Sequence, residues 1–291
     1  MNDDRRTHIF QAPGPVRLRV ELPRGRIELI ASPSETATVE LYAPNGDTAA
    51  RDWIAEAEVA QIDGEIVVRG RRREPNWLTW IAPMGLMGQI EATVRAPEGS
   101  AAHLAVGAGR VETTGKLGKV SGWTGAGGIR LAECEEARVH TGSGAIDIAS
   151  ASGSVDAKTG AGKVSVGKVG ADARIVTGAG AAKLGEAVGK ANLSTGHGNI
   201  EIEQAGDSVE AFTASGNIQV TRADHGRVKA KTVSGQVSVG VAQGVAALLD
   251  VSTLSGRVRS ELEATAAPTE GEKRVELVLS TVSGNVRVAR A

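Results

Sequence analysis

The feature that most constrains the fold is a repeat of about 18 residues. Its unit is Thr-x-x-Gly-x-(Val/Ile)-x-(Val/Ile/Leu), found for example at residues 141–148, 159–166 and 195–202. The spacing between successive marker glycines is 17 to 28 residues, and most often 18. The marker glycines are Gly109, Gly127, Gly144, Gly162, Gly180, Gly198, Gly216, Gly235, Gly256 and Gly284.

Apolar residues alternate on both sides of each marker glycine. Ile146 and Ile148 follow Gly144, whereas Val155 and Ala157 precede Gly162. This period of two predicts two short strands per coil, each with one buried face. A threonine three residues before the glycine has the same phase, so we expect a buried threonine ladder whose hydroxyls bond along the column or to the backbone. Its members are Thr124, Thr141, Thr159, Thr177, Thr195, Thr213, Thr232, Thr253 and Thr281.

The repeat therefore predicts an all-β protein, a β-solenoid of about ten coils of ~18 residues with a thin core of Val, Ile, Leu, Ala and Thr. Composition agrees, because 38 glycines can supply sharp corners and only seven residues are aromatic. Residues 98–267 lack proline, which suits continuous hydrogen-bonded strands. We expect residues 1–100 to form a less regular β region that leads into and caps the regular solenoid of residues 101–291. No amphipathic helix is predicted.

Charge and cysteine content narrow the function classes. The net charge is −1, which gives no general attraction to nucleic acid or to an anionic membrane, and we expect neither as a partner. The single cysteine, Cys134, excludes an internal disulfide. The sequence shows no secretory signal and no apolar stretch long enough for a membrane helix. We therefore expect a cytoplasmic location, with envelope association as the alternative.

Several segments together resemble a known family. They are residues 16–20 with 25–29, residues 63–68, residues 90–97 and the Thr-Gly-x-Gly run that begins at Thr124. In these segments the chain resembles a bacterial family of β-strand-repeat proteins known as putative adhesins, a domain of unknown function. The resemblance covers nearly the whole chain. It implies a β-solenoid without known catalytic residues and a role in surface or envelope interactions.

Motifs for chemistry are weak in this sequence. The segment from Gly160 to Lys163 lacks the helix that a phosphate-binding loop requires. The five histidines share no column of the repeat, and glutamates on both sides of Cys134 should disfavour its thiolate. We expect no enzyme activity, catalytic residue, metal or cofactor. A polysaccharide lyase or hydrolase of the solenoid class is kept as an alternative.

Basic and aromatic residues mark the candidate contact surface, as either a partner site or a loop folded over the solenoid flank. These residues are Arg71, Arg72, Arg73, Trp77, Trp80, Trp123 and Phe212. Trp123 and Phe212 occupy the same outward column of the repeat. The predicted function is a non-enzymatic scaffold or protein-interaction module, with a surface adhesin as the alternative. Its partner is an unknown protein or a second copy, bound through the aromatic face or a coil end. Residues 275–279 and 286–288 are expected to form that uncapped end.

The predicted register has a direct test. Ile175→Asp should abolish cooperative folding, because it places a charge in a narrow, dry core. Lys158→Ala, at an outward position of the same repeat, should leave stability nearly unchanged. Thermal unfolding followed by circular dichroism measures both variants, and equal effects would show that the register is wrong.

Overall fold

Strands dominate the computed structural model, which describes residues 4–70, 88–262 and 274–291. The chain divides into two compact units, residues 1–143 and 144–291, and the all-β prediction is confirmed in both. In the first unit the elements are β1 (Arg5–Gln11), β2 (Arg17–Ser32), β3 (Thr36–Tyr42), α1 (Thr48–Glu56), β4 (Glu58–Ile62), β5 (Glu65–Arg69), β6 (Ile90–Pro97), β7 (Ala101–Thr114), β8 (Lys116–Ala126) and β9 (Ile129–Ser143). A short 3₁₀ turn, Pro44–Gly46, precedes α1.

Strand β2 organises the first unit. On one side it pairs in parallel with β5 through its first half and with β6 through its second half. On the other side β7 pairs with it along most of its length, and β8 and β9 continue the parallel stack. Antiparallel strands lie beyond β5 and β6, where β4 pairs with β5 and β3 pairs with β6 and β1. Strands that follow β2 in sequence therefore flank it on both sides.

Helix α1 is a feature that the repeat pattern does not predict, and the expectation of no amphipathic helix is wrong. Asp47 caps its N-terminus by accepting a hydrogen bond from the Ala50 N–H at 3.1 Å. Backbone hydrogen bonds from Ala50 and Gln89 lower the pKa of the Asp47 carboxyl. Only Ala50 and Ile54 are buried in the helix. With so short an apolar stripe, its period is hard to recognise in the sequence.

In the second unit parallel strands stack in a solenoid-like arrangement. The described elements are β10 (Ile146–Ala151), β11 (Val155–Ala161), β12 (Val164–Val169), β13 (Ala173–Ala179), β14 (Ala182–Ala187), β15 (Ala191–His197), β16 (Ile200–Ala205), β17 (Val209–Ser215), β18 (Ile218–Ala223), β19 (Gly226–Ser234), β20 (Val237–Val241), β21 (Ala246–Ser255), β22 (Val258–Ser260), β23 (Arg274–Ser283) and β24 (Val286–Arg290). Odd-numbered strands from β11 to β19 pair in parallel as one stack, which forms one face of the solenoid, and even-numbered strands from β10 to β20 pair as a second stack. The predicted inward residues are buried in both stacks, as Ile175 and Val166 illustrate.

Each threonine of the ladder in this unit bonds to the glycine corner of the adjacent coil. The Thr177 hydroxyl donates to the Gly162 carbonyl and the Thr195 hydroxyl to the Gly180 carbonyl, both at 3.1 Å. Gly180 has a φ of +143°, and a Cβ on it would overlap the carbonyl oxygen of Gly162. Glycine and threonine recur together because the corner admits no side chain and its carbonyl takes the hydroxyl as a donor.

The C-terminal strands do not follow chain order. Strand β23 lies between β19 and β21, and β24 lies between β20 and β22. The prediction that residues 275–279 and 286–288 form an uncapped end is therefore wrong, because Leu277 and Val286 are fully buried. The outer position belongs instead to β21 and β22, which we call the terminal rung (residues 246–260). A linear repeat pattern cannot reveal this insertion, since any two coils share the same register.

The core accommodates no aromatic ring among the residues that the structure describes. Its buried side chains are mainly Ala, Val, Leu, Ile and Thr. Trp123 and Phe212 point outward and are 45% and 47% exposed. The scarcity of aromatic residues is thus a consequence of how narrow the space between the two stacks is.

Removing one hydroxyl from the ladder tests its role. Thr195→Val keeps the side-chain shape but leaves the Gly180 carbonyl without this donor, so we expect a loss of about 1 kcal/mol in the free energy of unfolding. Urea denaturation provides the measurement. Thr253→Val is the matched control. Thr253 lies in the more exposed terminal rung and donates to the Gly284 carbonyl, and at this position water can replace the hydroxyl. A Thr195→Val variant as stable as the wild type would contradict the proposed role.

Candidate functional site

The predicted contact residues fall into three places. Arg71, Arg72, Arg73, Trp77 and Trp80 lie outside the described residues. Trp123 lies in the first unit and Phe212 in the second. The assignment of these seven residues to a contact surface stays a prediction.

Trp123 stands on the outward face of β8. Its register partners are Ala105 of β7 and His140 of β9. The indole is 45% exposed. Trp123 lies on this face of the strands and is not among the lining residues of the grooves described below.

A surface groove of about 410 Å³ lies beside Phe212, and we call it the Phe212 groove. It forms on the outward face of β13, β15, β17 and β19, where the period aligns two columns of side chains. One column is Arg174, Asn192, Glu210 and Lys229, and the other is Val176, Ser194, Phe212 and Lys231. The short Asn192 and Ser194 side chains form the floor between longer residues on the flanking strands. Val176 and Phe212 are two strand spacings apart, about 10 Å.

The polar groups of this groove are largely unpaired. Within the described part of the chain, the side chains of Arg174, Asn192, Ser194 and Lys231 form no hydrogen bond or ion pair with the protein. Lys229 lies 3.5 Å from Glu210, and both side chains are well exposed. The lining thus holds three cations against one carboxylate, together with a half-exposed aromatic ring. Such an arrangement presents hydrogen-bond donors, acceptors and positive charge to a ligand.

Sequence reasoning identified Phe212 but missed the other groove residues. The signal was available in the repeat, because positions 18 residues apart are adjacent across strands. Reading the outward columns as well as the inward ones places Asn192 and Ser194 between larger neighbours. The apolar alternation that defines the strands identifies the inward columns and gives no information about the outward ones.

Two further grooves lie in the first unit, and neither is lined by an aromatic residue in the part that the structure describes. In the groove of about 390 Å³, Arg19 pairs with Glu65 and Arg69 pairs with Glu58. The groove of about 450 Å³ includes Arg26, which pairs with Glu112. Three of the six arginines that line these two grooves are therefore paired with a carboxylate.

The terminal rung forms a second candidate surface. Leu249 is in register with the buried Leu277, yet it is 37% exposed, and Val258 is 47% exposed beside the buried Val286. In the residues that the structure describes, β21 pairs only with β23 and β22 only with β24. Among the residues with a described structure, no further coil covers the core columns at this end, and one edge of each of the two strands is unpaired.

An outward apolar column adjoins the terminal rung. Val233, Val282 and Leu254 each directly follow a ladder threonine, on β19, β23 and β21. The corresponding positions on the earlier coils are glycine or alanine, for example Gly178, Gly196 and Ala214. Leu254 is 85% exposed and Val233 and Val282 are nearly half exposed. Exposed apolar surface is therefore concentrated at this end of the second unit.

Cys134 lies on the inward face of β9 and is buried. Burial raises the pKa of its thiol to about 11. Desolvation, and not the flanking glutamates, disfavours the thiolate in the structure. In the described ranges, no three His, Cys, Asp or Glu side chains group closely enough to hold a metal ion.

The family comparison agrees with the repeat. Residues 185–289 match the family model of Toastrack DUF4097. The predicted resemblance to a domain of unknown function is confirmed over these residues. The Toastrack segment contains the terminal rung and the Phe212 side of the groove, while Arg174 and Val176 precede it. No curated protein matches the chain. No helix in the described ranges has the length and apolar character that crossing a membrane requires.

Several solved structures are similar to this chain. A putative adhesin from Parabacteroides distasonis is 9% identical, with a TM-score of 0.41 and 98% of each chain covered. A putative lipid binding protein from the same species is 9% identical, with a TM-score of 0.40 and coverage of 100% of this chain and 98% of the other. A putative adhesin from Parabacteroides merdae is 11% identical, with a TM-score of 0.38 and coverage of 99% and 97%.

The buried thiol leads to a prediction. With a pKa of about 11, roughly one Cys134 thiol in a thousand is ionised at pH 8. Native protein should therefore react very slowly with Ellman's reagent, because the thiolate is the nucleophile and the sulfur is buried. The same protein unfolded in guanidinium should react rapidly and stoichiometrically. Rapid stoichiometric reaction of the native protein would contradict the buried position of Cys134.

Proposed function

We propose that the protein is a non-enzymatic scaffold or protein-interaction module, built as a solenoid of about ten coils, that self-associates through its terminal rung. The observation that supports this role is the exposure of core-column residues on β21 and β22. Leu249 and Val258 occupy positions that are fully buried one coil further in. A further coil of the same type would bury them.

A second copy of this chain is the partner that fits this end best. Open strand edges accept another strand through backbone hydrogen bonds, and apolar columns in the same phase continue the core across the junction. The end of a second copy presents the same strands and the same columns. Exposed leucines on the terminal rung, Leu248 and Leu254, add apolar area at its rim.

Size-exclusion chromatography with multi-angle light scattering tests this proposal. At micromolar concentration the wild type should have the mass of a dimer or a larger assembly. Leu249→Lys should shift the protein to monomer, because it places a charge at the centre of the association surface. Thermal unfolding of the variant establishes that it remains folded.

Val188→Lys is the matched control. Val188 is as exposed as Leu248, at 68%, but precedes β15 and lies outside the terminal rung. This variant should associate like the wild type. A strictly monomeric wild type would overturn the proposal, and so would an assembly that Leu249→Lys leaves intact.

A further inference from the structure

The Phe212 groove has the composition of a ligand site. Its floor presents the Asn192 amide and the Ser194 hydroxyl, both without a protein partner in the described part of the chain. An amide and a hydroxyl each donate and accept hydrogen bonds, so they match a ligand that carries many hydroxyl groups. The backbone that carries them is paired on both sides, because β15 lies between β13 and β17.

One wall of the groove is the half-exposed Phe212 ring. An aromatic face can pack against a flat apolar surface of a ligand while polar neighbours bond to its edge. A sugar ring has this character, since its C–H groups form an apolar face and its hydroxyls form a polar rim. A peptide backbone carries no hydroxyl groups for the floor to recognise.

Charge identifies the class of sugar more closely. Arg174 and Lys231 are exposed and unpaired in the described structure. Lys229 lies beside Glu210, whose carboxylate is the single one in the described lining. This excess of positive charge favours an anion. The Arg174 guanidinium can hold a carboxylate through two parallel hydrogen bonds. The volume of about 410 Å³ lies in the range of small-molecule sites.

We propose that the Phe212 groove binds an acidic oligosaccharide, with a sugar ring stacked on Phe212 and a sugar carboxylate held by Arg174. Asn192 and Ser194 bond to its hydroxyl groups from below. This site is separate from the terminal rung, so failure of self-association leaves it intact and the reverse also holds.

Isothermal titration calorimetry with tri-galacturonate, to millimolar concentration, tests the site on the full chain. The wild type should bind this probe and should bind neutral maltotriose at least tenfold more weakly, because the ion pair is lost. Phe212→Ala and Arg174→Gln should each weaken tri-galacturonate binding about tenfold. Added salt should weaken wild-type binding, and Arg174→Gln should reduce this salt dependence whereas Phe212→Ala should not.

Two matched variants serve as controls. Trp123→Ala removes a half-exposed aromatic residue from the first unit, and Lys163→Gln removes an exposed cation that does not line the groove. Both should bind like the wild type, and circular dichroism establishes that all variants are folded. Absence of binding by the folded wild type would overturn the proposal. Equal binding of maltotriose, or equal binding of a poly-glutamate peptide, would also overturn it, as would equal losses in the control variants.

Discussion

The contact between stacked glycine corners is the constraint on which the second unit depends. From Gly162 onward, each corner glycine has a positive φ and lies so close to the corner of the adjacent coil that any Cβ would overlap its carbonyl oxygen. The threonine hydroxyl donates to that carbonyl, at 3.0 to 3.2 Å along the ladder. Corner and hydroxyl together fix the register of successive coils, and the register in turn aligns every other column.

Because the columns are aligned, the inward and outward faces of the strands have different roles. Inward columns must fill a narrow space, so they are restricted to small and aliphatic residues, and no aromatic residue is buried among those described. Outward columns carry no such restriction. A binding surface can therefore be built by choosing residues 18 positions apart. Short residues at Asn192 and Ser194, between Arg174 and Phe212, produce a groove without any change in the backbone.

The C-terminal insertion has the largest consequence for interaction. Because β23 and β24 enter between existing coils, the inward residues of these two strands are buried and the terminal rung is left at the outside. The inward pattern before the corner does not distinguish these coils, since each carries the same threonine and glycine after alternating aliphatic residues. Helix α1 could not be predicted from the sequence pattern either. Only Ala50 and Ile54 are buried in it, and two residues do not establish a helical period.

The sequence by itself determined the local physics of this protein: strand phase, the inward threonines, the glycine corners and the absence of room for aromatic rings. These follow from periodicity and sterics, which act over a few residues and recur in every coil. Only the tertiary structure decided which coil is outermost, which outward columns enclose a groove and which charges in it stay unpaired. Those features depend on contacts between coils, and identical repeats allow more than one order of stacking with the same local geometry.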